Sequence, residues 1–218
     1  FMVLPDISSP ESLKGKVLGV TRFGASSDVA LQMALQKKGI DPNRDVSMIP
    51  AGGFQELYSA MEKRTIAGAL FGPPILTLLK NKGYRELMDL SSLGIETQHT
   101  GAVAQRALAK NNPDLVRRYV KSYVEGIHLL KTDREFSIKV ISKYTKVTSR
   151  SVLDDAYNFY AVNYIRKVPM PSVAGVKTIL EQMGLKDSRA KTANPDDFVD
   201  SRYIDELEKS GFLRNLYK

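Results

Sequence analysis

The stretch Val17-Leu18-Gly19-Val20-Thr21-Arg22-Phe23-Gly24-Ala25-Ser26-Ser27 joins a short apolar run to a glycine-bearing turn and a pair of hydroxyl residues. Its reading decides the fold. Val17 to Thr21 is bounded by Lys14-Gly15-Lys16 and by Arg22-Phe23-Gly24, the pattern of a buried strand between turns. A helix is predicted from about Ser27. Val29, Ala30, Met33, Ala34 and Lys37 fall on one face, and Gly39 stands where a left-handed C-cap is wanted.

Working outward, Phe1 to Leu4 is apolar and stops at Pro5, which favours a strand end. Ser9-Pro10-Glu11-Ser12-Leu13 reads as a helical turn with Pro at its first position. Downstream, Val46 to Pro50 is a second short strand, and Ala51-Gly52-Gly53 turns into a helix carrying Phe54, Leu57, Tyr58 and Met61. Ile66 to Phe71 is a third strand, Gly72-Pro73-Pro74 opens a helix with Ile75, Leu78 and Leu79, and Tyr84 to Leu90 adds a fourth strand. Strands alternating with helices at this pitch predict an open α/β sheet with parallel neighbours. In such a sheet the loops at 22–27, 51–53 and 71–74 lie side by side at the carboxyl ends of the strands, where ligands bind.

Gly101 to Leu108 reads as one more strand, after which the pattern is helical. Asn112-Pro113-Asp114 starts a helix whose apolar face runs through Val116, Tyr119, Val120, Tyr123, Val124, Ile127 and Leu130. Four more helices are expected at Phe136 to Tyr144, Ser149 to Tyr164, Ser172 to Met183 and Tyr203 to Tyr217.

Composition narrows the chemistry. The 218 residues are 43% hydrophobic and 26% charged, as in ordinary globular chains, and long enough for a sizeable core. The net charge of +8 comes from Lys and Arg scattered among acids, so no basic arm for nucleic acid is present and a mild pull toward anions is the functional reading. With zero Cys, disulfides, thiolate nucleophiles and Cys-type metal sites are excluded. His99 and His128 are far apart and lack a second ligand at metal spacing, so no metal and no cofactor is expected. No phosphate loop, dinucleotide fingerprint or hydrolase elbow occurs, and no residue set indicates an enzyme.

The loop Phe23-Gly24-Ala25-Ser26-Ser27 between strand and helix is the strongest candidate site, because backbone N–H groups and hydroxyls converge there at a helix N-terminus. The same residues also suit a glycine turn with a Ser cap and no ligand. Gly52-Gly53 and Gly72-Pro73-Pro74 share that edge and would leave room for a ligand to approach the backbone.

The run from Ser9 to Val20, followed by Phe23-Gly24-Ala25-Ser26-Ser27, Gly72-Pro73-Pro74, the segment Thr100 to Ala107 and Asn112-Pro113-Asp114-Leu115-Val116, resembles the substrate-binding proteins of ABC transporters. The branch is that for nitrate, sulfonate, taurine and thiamine precursor, the NMT1/SsuA-like family. The resemblance implies a type II periplasmic-binding-protein fold, two α/β lobes closing on a small solute and handing it to a membrane permease. Residues 1–98 would be one α/β lobe and residues 99–218 the return crossing strand and the helical remainder of the other lobe. It further implies a small anionic or zwitterionic solute, a periplasmic location and an N-terminal part ahead of Phe1 that this chain lacks. An unpaired lobe would expose an apolar face, the setting for a dimer. Ser26 and Ser27 with the N–H groups around Gly24 and Ala25 would hold the polar head, Gly52, Gly53, Phe71, Gly72 and Pro73 would shape the opposite rim, and Thr100 and Gly101 would line the hinge. Two relatives of the same fold remain as alternatives, a ligand-sensing module and the pyrimidine synthases of thiamine biosynthesis; the latter carry a cysteine-rich motif absent here.

Overall fold

A computed structural model describes residues 1–185 and 187–218, which divide into two compact units, Phe1–Ile95 and Glu96–Lys218. The first unit holds a five-stranded sheet: β1 Met2–Val3, β2 Val17–Val20, β3 Ser47–Pro50, β4 Gly68–Ala69 and β5 Arg85–Glu86, in the order β3-β2-β4-β1-β5. Three helices cover it, α1 Ser26–Lys37, α2 Phe54–Glu62 and α3 Ile75–Asn81. The α/β class expected from the alternation of elements is therefore the one observed.

Side-chain alternation along β2 divides the core in two. Leu18 and Val20 are fully buried with Leu31, Ala34 and Leu35 of α1, together with Val3, Leu4 and Ile7. On the other face, Leu57 and Met61 of α2 and Leu79 of α3 pack with Met2, Ile66 and Ala69. Gly19 makes that second layer fit. A methyl built on it would lie 2.5 Å from Ile66 Cδ1 and 2.6 Å from Leu57 Cδ2.

Parallel pairing holds for β2 with β3 and with β4, Leu18 lying opposite Met48 and Gly68. It fails at β1. Met2 and Val3 run antiparallel to both β4 and β5, with Met2 opposite Ala69 and Glu86, so the sheet is mixed. A two-residue ladder is too short to declare its partner locally. The fourth expected strand shrinks to Arg85–Glu86, and Leu90 opens a 3-10 turn whose N-cap, Asp89, accepts the Ser91 amide.

The second unit is helical: α4 Arg106–Asn111, α5 Pro113–Thr132, α6 Arg134–Thr145, α7 Arg150–Tyr157, α8 Val173–Met183, α9 Ser188–Lys191, α10 Arg202–Lys209 and α11 Phe212–Leu216. The strand expected over Gly101 to Leu108 is not formed: Val103 is 96% exposed and α4 begins at Arg106. Among the described residues this unit offers no strand to pair with, so the Arg106-Ala107-Leu108-Ala109-Lys110 run follows its helical propensity. The helix expected at Ser149 to Tyr164 is α7 followed by a π-helical turn over Asn158–Tyr164, and Gly211, at φ 76°, breaks the one expected at Tyr203 to Tyr217.

Candidate functional site

The carboxyl ends of β2 and β3 are tied together beyond the strands. Ala51 donates to the Val20 carbonyl at 2.9 Å and Gly52 to the Thr21 carbonyl at 3.1 Å. This pairing sets the β2–α1 loop beside the β3–α2 loop, and between them opens a hollow of about 770 Å3 lined by Thr21, Arg22, Gly24, Ala25, Ser26, Ser27, Gly52 and Phe54. Gly52 turns there with φ 100°, a backbone that side chains disfavour.

Within the first loop most polar groups are already engaged. Ser27 is buried, and its Oγ accepts the Thr21 amide at 3.1 Å and lies 2.8 Å from Thr21 Oγ1. Gly24 N–H donates to Asp28 Oδ2 at 2.8 Å and Ala25 N–H to the Arg22 carbonyl at 3.2 Å. The amides around Gly24 and Ala25 are thus spent on the turn rather than held for a ligand. What remains is specific. Ala25 is the N-cap of α1 and supplies no capping oxygen, so the Ser26 and Ser27 amides have no acceptor among the described residues. The hydroxyl pair of Thr21 and Ser27 also keeps one proton to donate, since only one of the two is used between them.

Charge follows the same geometry. Arg22 is exposed on the rim and has no carboxylate partner among the described residues. The α2 N-terminus is covered from its own chain: a methyl on Gly53 would sit 2.7 Å from Glu56 Oε2. At the start of α1 the helix dipole, the two orphan amides and Arg22 present positive charge to the hollow, set against the Asp28 carboxylate that the first turn holds on the Gly24 amide. None of the described residues lining the hollow is a carboxylate.

Of the residues singled out in the sequence, Gly24, Ala25, Ser26, Ser27 and Gly52 come together around the hollow. Phe23, 58% exposed, and Gly53, the N-cap of α2, stand beside it without lining it. Phe71 is half-buried against the core layer under α2 and α3, the Gly72 carbonyl accepts the Leu76 amide at 3.1 Å, and Pro73, joined to Pro74 by a cis bond, is buried. Thr100 and Gly101 belong to the second unit, where the Thr100 carbonyl accepts Gln98 Nε2 at 2.8 Å. Thr21 and Phe54 line the hollow although sequence reasoning passed over them, and so does Arg22, which lay in the expected loop at 22–27 without being singled out. Their signal was positional, the last strand residue, the first loop residue and the first residue of the next helix.

The family profile described as NMT1/THI5 like matches residues 1–135. The chain belongs to the NMT1/THI5-like family. Binding proteins of Brucella abortus and Brucella suis are 27% identical over 155 residues, covering 69% of this chain and 47% of theirs. The chain spans about half the length of the curated relatives it matches. Among solved structures, the alkanesulfonate-binding protein SsuA from Xanthomonas axonopodis pv. citri bound to MOPS is similar with a TM-score of 0.70 at 19% identity, over 87% of this chain and 63% of that one. The periplasmic aliphatic sulphonate binding protein SsuA from Escherichia coli gives 0.68 at 19% identity, over 93% and 63%. The desulfurization enzyme DSZB gives 0.59 at 12% identity, over 96% and 75%. The fold of this NMT1/THI5-like chain is thus that of periplasmic binding proteins, and it is a fold that an enzyme also uses.

Proposed function

We propose that this chain is part of the solute-binding component of an ABC importer, taking a small organic anion at the hollow between the β2–α1 and β3–α2 loops and presenting it to a membrane permease. One observation carries the reading: α1 begins without a cap, and its orphan Ser26 and Ser27 amides border an open hollow beside the unpaired Arg22. A sulfonate or carboxylate oxygen at that point would supply the missing acceptors, each charge-assisted. Membership of the NMT1/THI5-like family and likeness in fold to sulfonate-binding proteins support this choice of solute.

Binding is favoured over catalysis by the residues that line the hollow. They are amide and hydroxyl donors, one guanidinium and one phenyl ring, a set that holds a ligand without a base positioned to move a proton. No helix among the described residues is long and apolar enough to cross a membrane, which suits a protein that meets its permease at a surface. Periplasmic placement follows from the same reading.

Calorimetric titration of the chain with methanesulfonate, nitrate and acetate tests it. Saturable one-to-one binding of at least one anion, weakened about threefold by Arg22→Gln, is expected for a solvent-exposed charge pair at the rim. Absence of binding by all three, or affinity unchanged in Arg22→Gln, would remove the reading.

A further inference from the structure

The hollow has an apolar wall that an inorganic anion would leave unused. Phe54, the first residue of α2, is 51% exposed and leans on Phe71 with ring centroids 6.5 Å apart and planes tilted by 52°. Phe71 is itself packed in the layer containing Leu57, Met61 and Leu79, so the pair is anchored from below and open from above. Arg22 and the Ser26 and Ser27 amides border the same hollow from the opposing loop. A ligand filling both sides carries one negative head and an apolar body, and the tilted ring pair offers a further aromatic ring an edge or a face.

We infer that Phe54 is the specificity-determining residue of this site and selects aryl-bearing organic monoanions over small anions of equal charge. The inference rests on the reading of the hollow as the solute site. An aryl body covers the exposed Phe54 ring, which gains both from removal of apolar surface and from ring–ring geometry. A methyl body reaches the amides and Arg22 alone.

The test is a calorimetric comparison of benzenesulfonate with methanesulfonate on the chain and on its Phe54→Ala and Phe54→Leu variants, each checked for an unchanged thermal melt. Benzenesulfonate is expected to bind about tenfold more tightly than methanesulfonate. Phe54→Ala should abolish that preference by weakening benzenesulfonate about tenfold more than methanesulfonate, and Phe54→Leu should retain part of it. Equal affinity for the two sulfonates in the unmodified chain, or equal loss for both in Phe54→Ala, would overturn the role of Phe54 while leaving the solute site standing. Absence of binding by either sulfonate would instead overturn the site itself and this inference with it.

Discussion

The Asp28 carboxylate, 1% exposed in the first turn of α1, accepts the Gly24 amide at 2.8 Å. Its other oxygen accepts Gln32 Nε2 at 2.6 Å. One buried side chain thus pins the β2–α1 loop to the helix that follows it, and it does so with a charge that the N-terminal end of the helix favours.

Replacing that acceptor should loosen the whole loop. Asp28→Ala leaves the Gly24 and Gln32 donors without their partner and is expected to cost roughly 1–3 kcal/mol. Asp28→Asn keeps one oxygen acceptor and should cost less. Urea denaturation measures both, and equal stability of Asp28→Ala and the unmodified chain would show that the contact does not hold the loop.

The two serines of the loop should separate in the same experiment. Ser27 Oγ accepts from the Thr21 amide inside the fold, so Ser27→Ala is expected to cost about 1 kcal/mol. Ser26 is exposed, and Ser26→Ala should stay within about 0.5 kcal/mol. A reversed order would contradict the placement of Ser27 as the buried partner of Thr21.

That distinction marks where the sequence stops being legible. Hydroxyl residues after a strand announce a helix start, but which of them turns inward depends on Thr21 across the turn, a relation no local pattern carries. β2, β3, α1 and α2 were readable because apolar runs bounded by Gly15, Gly24, Gly39 and Gly52 state both period and limits. The antiparallel direction of β1 was not, since its two residues pair on both sides with segments far along the chain. Ala102-Val103-Ala104 mimics a strand, yet with no partner strand among the described residues of its unit the backbone beyond it coils into α4. Phe54, and Arg22 within the expected loop, were not singled out because each looks like ordinary surface until the Thr21–Gly52 hydrogen bond brings their loops together.

The same mixed sheet makes Gly68 a sensitive position. A methyl there would lie 2.8 Å from the Met2 carbonyl oxygen and 2.8 Å from Val3 Cγ1, between β4 and the antiparallel β1. Gly68→Ala is expected to cost about 1–3 kcal/mol, since backbone must move to admit it. A variant as stable as the parent would contradict the β1–β4 pairing.

In the second unit, Asp187 caps α9 and its carboxylate accepts both the Arg189 amide and Arg189 Nε at 3.0 Å. Hydrogen bonding from the Arg189 side chain, then from its amide, holds the Asp187 carboxyl down at about 2, below the usual 3.8. Because the folded value is the lower one, the contribution to stability is complete above the ordinary value and is lost as pH falls from 3.8 through about 2. A carboxyl carbon NMR titration should find Asp187 still mainly ionised at ~pH 3, and Arg189→Ala should raise its midpoint toward the unperturbed value. An unshifted midpoint in the parent chain would rule the contact out in solution.

The central claim is that an anion is held by the uncapped start of α1, and amide NMR reads that start directly. Titration of the labelled chain with methanesulfonate should produce saturable shifts greatest at the Ser26 and Ser27 amides and at Arg22 Nε, with the Gly24 amide, already bonded to Asp28, moving least in the loop. Saturable shifts confined to other elements, or none at all, would contradict it.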